Sequence, residues 1–141
     1  FAALKASATT TSYTLTLPAA TGTADQVLTT NGSGVLSFVD NTGGTDWQAV
    51  KTTTYTAAAG EGVFADTSGG AWTLTLPASP TIGDEVAFID YAGTFDTNNL
   101  TIGRNSENIQ GSAADLTVST ERAANTLVYT DGTQGWLLKV K

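Results

Sequence analysis

The chain of 141 residues has no cysteine and no histidine. Without cysteine there is no disulfide framework. Without either residue, zinc and haem lose their usual ligands and hydrolytic sites lose their imidazole base. Ser-His-Asp and Cys-His nucleophile systems are thereby excluded. Charge is also scarce, at 13% of residues, against roughly 25% in ordinary globular domains. Thirteen acidic residues against six basic ones give a net charge of -7, a balance that repels duplex nucleic acid. No apolar run approaches the roughly 20 residues of a membrane helix. No basic-then-apolar leader opens the sequence, and no glycine-rich phosphate loop leads into a helix. The expectation is a non-enzymatic protein with no cofactor, no bound metal, no nucleic-acid partner and no membrane insertion.

Thr, Gly, Ala and Ser fill the space that charge leaves, and they favour strands and turns. The stretch from Trp72 to Asp90 sets the pattern. Trp72, Leu74 and Leu76 alternate with Thr73 and Thr75, so a strand here has one apolar and one hydroxyl face. Pro77 ends it, Pro80 and Gly83 make the turn, and Val86 and Phe88 share a face of the next strand. Asp84 and Asp90 stand at the ends of that strand, where burial is least expected. Further strands are predicted at about 47–56, 62–66, 99–103, 115–119, 125–130 and 134–140, their spacing that of an antiparallel β-sandwich or jelly roll. Leu100 with Ile102, Leu116 with Val118, Leu127 with Tyr129, and Trp136 with Leu138 and Val140 supply further inward residues. Residues 113–115 and 121–125 are too short for a stable helix.

Upstream, residues 1–12 read as a connector. Tyr13, Leu15 and Leu17 alternate with Thr14 and Thr16 and stop at Pro18, so Thr-Leu-Thr-Leu-Pro-Ala occurs at both 14–19 and 73–78. Asn31-Gly32 between two apolar runs predicts a hairpin with a primed turn, both central residues at positive φ. So few large side chains cannot offset the chain entropy of residues 13–40 alone. Identical chains around a three-fold axis are the simplest supply of partners. The linker 41–45 divides a segment at 1–45 from a domain at 46–141. Lys5 against Asp25 and Asp40 gives the first part -1, and five basic against eleven acidic residues give the second -6.

The run from Leu17 to Val39, with Asp25-Gln26-Val27-Leu28, Asn31-Gly32-Ser33-Gly34 and Phe38, resembles the short repeat of tail fibres and related fibrous virion proteins of tailed bacteriophages, marine and cyanobacterial phages among them. The family commonly has Trp where Phe38 stands. Between residues 47 and 141, Asp66-Thr67-Ser68, Leu74-Thr75-Leu76-Pro77, Gly83-Asp84, Ile109-Gln110-Gly111 and Gly135-Trp136 resemble a small C-terminal domain of phage fibre and baseplate-associated proteins. The resemblance implies an all-β, homotrimeric virion protein: a repeat-built shaft at 1–45 and a β-sandwich head at 46–141, located on a fibre or other exterior appendage. Its partners would be further copies of itself, other virion proteins on the N-terminal side, and a host-surface glycan or protein. Phe1 in place of Met predicts a longer polypeptide, and a strand ending at Lys141 predicts a fibre tip. Alternatives are a capsid decoration or adaptor protein docking on another virion protein, and a bacterial surface adhesin subunit.

Candidate site residues follow from side-chain chemistry. Receptor contact is expected from the loops 91–95 and 103–108, through Tyr91, Phe95, Arg104, Asn105 and Asn108, which combine aromatic, amide and cationic groups on connecting segments. Arg104 could instead form a salt bridge with Glu107 or with a neighbouring chain. Trimer contacts are expected from Tyr13, Leu15, Leu17, Phe38 and Trp47. Trp47, Trp72 and Trp136 are possible sugar platforms, with Trp72 and Trp136 assigned to the core by their strand phase. Asp66, Asp84, Asp90, Asp96 and Asp131 could pair as glycosidase carboxylates, but each sits at a turn, where Asp serves the local backbone. Asp96-Thr97-Asn98-Asn99 has oxygen ligands for calcium but lacks an EF-hand spacing.

Overall fold

The computed structural model describes residues 14–24, 26–40 and 44–139. Tyr13, the 1–12 connector, Val140 and Lys141 lie outside them. The chain is all-β, with eleven strands and no helix among the described residues. It divides into two units, Phe1–Gly43 and Gly44–Lys141.

In the first unit, β1 (Gln26–Thr30) and β2 (Leu36–Asp40) form an antiparallel hairpin with Val27 opposite Val39 and Leu28 opposite Phe38. The hairpin is as expected, but the turn is not a two-residue primed one. Residues 31–35 form the loop, Gly32 and Gly34 take φ of 79° and 85°, and Asn31 stays out of the left-handed region. Asn31 instead accepts hydrogen bonds at Oδ1 from the Ser33 and Val35 N–H groups, at 2.9 and 3.3 Å. At Asn31 an Asx turn thus takes the place of the expected left-handed backbone. The strand expected at 13–17 reduces, among the described residues, to one parallel bridge between Thr16 and Val35.

The second unit holds β3 (Asp46–Trp47), β4 (Tyr55–Thr56), β5 (Glu61–Ala65), β6 (Trp72–Thr75), β7 (Glu85–Asp90), β8 (Leu100–Gly103), β9 (Leu116–Val118), β10 (Ala124–Tyr129) and β11 (Trp136–Leu138). One sheet runs β11-β10-β7-β5-β3 and the other β4-β6-β8-β9. From β3 to β8 the chain changes sheet at every strand, and β3, β5 and β7 are parallel to one another, as are β4, β6 and β8. The expected antiparallel order does not hold here: in this unit the antiparallel pairs are β7 with β10, β10 with β11, and β8 with β9. Parallel neighbours need a long return path, and here that path is a strand of the other sheet. The predicted single strand at 47–56 is accordingly two short strands in different sheets.

Both sheets send alternate side chains into one core. Val63 and Ala65, Trp72, Leu74 and Leu76, Val86 and Phe88, Leu100 and Ile102, and Leu127, Tyr129 and Trp136 belong to a single buried cluster. Each large side chain so buried contributes about 1.5–3 kcal/mol. The Trp136 indole meets Tyr129 edge-on, with ring centroids 5.5 Å apart. Gly135, at a φ of 69°, lies against the Asn108 carbonyl, where no β-carbon fits.

Candidate functional site

The two candidate receptor loops are built around buried anchors. Asp90, expected at an exposed strand end, is only 2% exposed. Its carboxylate accepts from the N–H groups of Gly93 (2.8 Å), Thr94 (3.2 Å), Phe95 (3.2 Å) and Arg122 (2.9 Å). Burial pushes this carboxyl up, but the four backbone N–H groups outweigh burial and hold it below the ordinary carboxylate value. Arg122, at a φ of 57°, also donates from Nη1 to the Tyr91 carbonyl at 2.8 Å. Its guanidinium fills the space a β-carbon on Gly93 would need. Loop 91–95 is thus bound to the turn before β10. Nothing in the local sequence marks Arg122, because its partner Asp90 is distant in the chain.

Phe95 does not face a receptor. It is fully buried, 6.5 Å from Phe88 by ring centroids, because the loop folded over Asp90 drives the ring into the core. Of the five expected contacts Tyr91 is the exposed one, at 54%. Arg104 donates to the Glu107 carbonyl at 3.1 Å, and not to its carboxylate as the salt-bridge reading had it. That carboxylate accepts the Tyr129 hydroxyl at 3.0 Å. Asn105 donates to the Leu76 carbonyl at 2.9 Å, and Asn108 to that of Thr133 at 2.9 Å. These side chains hold loops in place. Loop 91–95 follows β7, and loop 103–108 follows β8, a strand of the other sheet.

The acidic residues serve turns. Asp66 accepts from the Ser68 N–H, Asp84 from the N–H and hydroxyl of Thr81, and Asp131 from the N–H groups of Thr133 and Gln134. Hydrogen bonds from Ser68 hold the Asp66 carboxyl below its ordinary value. Asp96 accepts from the Thr97 hydroxyl at 3.3 Å, in a turn where the Thr97 and Asn98 N–H groups reach the Thr94 carbonyl. Among the described residues no group of three or more acidic side chains is placed to hold a metal ion.

Burial pushes two tyrosines up. Tyr129 is raised further by its bond to Glu107, and Tyr55 by its 2.9 Å bond to Glu61. Trp72 and Trp136 are core residues, and the Trp72 indole donates to the Asp66 carbonyl at 2.9 Å.

Trp47 is the exposed indole, at 42%. It pairs with Gly62 across β3 and β5 and stacks on Phe64, ring centroids 4.7 Å apart and 25° from parallel. A β-carbon at Gly62 would lie 2.6 Å from indole atoms, so the glycine is what lets the ring lie over the sheet. Beside it, on the outer face of the five-stranded sheet, lies a trough of about 340 Å³ bordered by Thr45, Trp47, Ala87, Ile89, Asn125 and Thr126. A second cleft of about 410 Å³ opens between β9 and the strands β10 and β11, lined by Leu116, Val118, Ala123 and Leu138. The chain matches no protein-family model, and no curated protein sequence matches it.

Proposed function

We propose that this chain is a segment of a homotrimeric fibre on the exterior of a tailed-phage virion, projecting from the particle and attaching to host-surface glycans. The observation that carries the multichain part is the state of the repeated hexamer. At 73–78 its leucines, Leu74 and Leu76, are fully buried, whereas at 14–19 Leu15 and Leu17 are 46% and 63% exposed. The hairpin beside it has apolar side chains on both faces, Val27 and Val39 on one, Leu28 and Phe38 on the other, all exposed. A two-stranded hairpin is marginal in water, and neighbouring copies cover both faces at once. The resemblance of residues 17–39 to tail-fibre repeats supports the virion assignment, and several weak sites per fibre give attachment by avidity.

Equilibrium ultracentrifugation of the full chain tests the assembly. Three chains per particle are expected, falling to one when Val27 and Phe38 are both replaced by Lys. A wild-type particle of one chain overturns the fibre assignment. Docking on another virion protein is the second reading. It is favoured by Ile82, 83% exposed on a turn that Asp84 and Thr81 hold rigid.

A further inference from the structure

We propose that the trough beside Trp47 binds a neutral pyranose. The inference rests on the glycan-attachment half of the function above and gives that half a site. Its shape follows from the strand register. Trp47, Gly62, Ala87 and Thr126 lie abreast on β3, β5, β7 and β10. Three interstrand steps separate the first from the last, about 14 Å. The indole lies over Gly62, and Ala87 is the floor between it and Thr126. In the adjacent row Phe64 backs the indole and pairs with Ile89, which borders the trough.

The chemistry selects the ligand. An exposed indole offers a flat apolar surface to the C–H face of a sugar ring. The hydroxyls of Thr45 and Thr126, at opposite sides, have no hydrogen-bond partner among the described residues and can meet sugar hydroxyls. A volume of about 340 Å³ is at the lower end of small-molecule sites. None of the bordering residues is charged, and residues 46–141 carry a net charge of -6. The cation beside this row, Lys139 next to Thr126, is already paired with Glu85 at 2.7 Å, so an acidic sugar would meet net repulsion and the neutral pyranose is favoured. This assignment takes Trp47 away from the trimer seam.

Saturation-transfer NMR on the full chain tests it, with the methyl glycosides of glucose, galactose and N-acetylglucosamine as probes and glucuronic acid as the acidic comparison. Transfer to at least one neutral glycoside is expected, saturating in the millimolar range and weaker for glucuronic acid. Trp47→Ala is expected to weaken binding about tenfold or more. Trp47→Phe should retain part of it, and Thr126→Val should lose severalfold while the fold stays intact by circular dichroism. Absence of transfer from the folded wild type overturns the proposal, as does transfer that survives Trp47→Ala unchanged. If Trp47→Ala instead splits the oligomer and no glycoside binds, the trough is a contact between copies. The two failures are separable: a one-chain particle whose sugar binding tracks Trp47 sinks the fibre and keeps the site, and a trimer blind to all three glycosides does the reverse.

Discussion

Asp90 is where a single substitution tests the loop architecture most sharply. Asp90→Asn keeps the side-chain shape but removes the charge and turns one acceptor oxygen into a donor. One oxygen faces the N–H groups of Gly93 and Thr94, and the other those of Phe95 and Arg122. Whichever way the amide turns, two N–H groups lose their acceptor, and the other two exchange an ionic partner for a neutral one. At about 1–3 kcal/mol for each buried donor left unpaired, with partial relaxation of loop 91–95, the loss is about 2–4 kcal/mol. That is a large share of a typical 5–15 kcal/mol stability, and should lower the midpoint by about 8 °C or more.

The pH dependence gives the same experiment a second reading. The carboxyl of Asp90 is held below its ordinary value in the fold, so its stabilisation is fully present above the unfolded value near about 3.9. It disappears as pH falls through the lower, folded value. Asp66 is shifted in the same direction, but it is common to both proteins and cancels in the difference. Urea denaturation followed by tryptophan fluorescence, from neutral pH to about 2, should show a gap between wild type and Asp90→Asn that is constant above about pH 4 and closes below it. A gap smaller than about 0.5 kcal/mol at neutral pH would refute the anchoring role, and one that persists undiminished in acid would show that the lost charge is not its cause.

Gly62→Ala places a β-carbon 2.6 Å from the Trp47 ring; the indole should leave Phe64, changing near-ultraviolet circular dichroism, at a stability cost of about 1–3 kcal/mol. Gly135→Ala meets the immobile Asn108 carbonyl from a φ of 69°, so it should cost more than about 3 kcal/mol in urea and release the edge strand β11. Glu107→Gln should lower the raised Tyr129 ionisation, seen as an earlier rise in phenolate absorbance. Because Tyr129 is raised in the fold, wild-type stability should fall as pH climbs above about 10, and Glu107→Gln should soften that decline.

The strands of the second unit were legible because period-two burial is a local property. Trp72, Leu74 and Leu76, then Val86 and Phe88, then Leu100 and Ile102, all reach the core their spacing indicated. Which strand lies beside which is not local. Alternation is the same for parallel and antiparallel neighbours, so the side chains of β5 and β7 carry no mark of running the same way. Short strands with turn residues between them read equally well as a meander or as a coil between two sheets. The split of 47–56 was hidden for a related reason: the chain changes sheets after Lys51, whose N–H still reaches the Phe64 carbonyl, and no proline or glycine marks the crossing.

The site residues divide along the same line. Loops are where polar and aromatic residues gather for recognition, and they are also where a fold must satisfy buried backbone with side-chain acceptors. Asn105 and Asn108 carry the side chains of the first kind and donate to the Leu76 and Thr133 carbonyls, while Asp90, at a strand end, anchors a loop. Trp47 shows what distinguishes the two. Its partner across the sheet, Gly62, lets the indole lie flat, and Ala87 one strand further on leaves the trough beside it open. In the reading proposed above, recognition belongs where register puts small residues beside an aromatic rather than where a loop is rich in amides, and that pattern needs strand pairing that one-dimensional sequence does not contain.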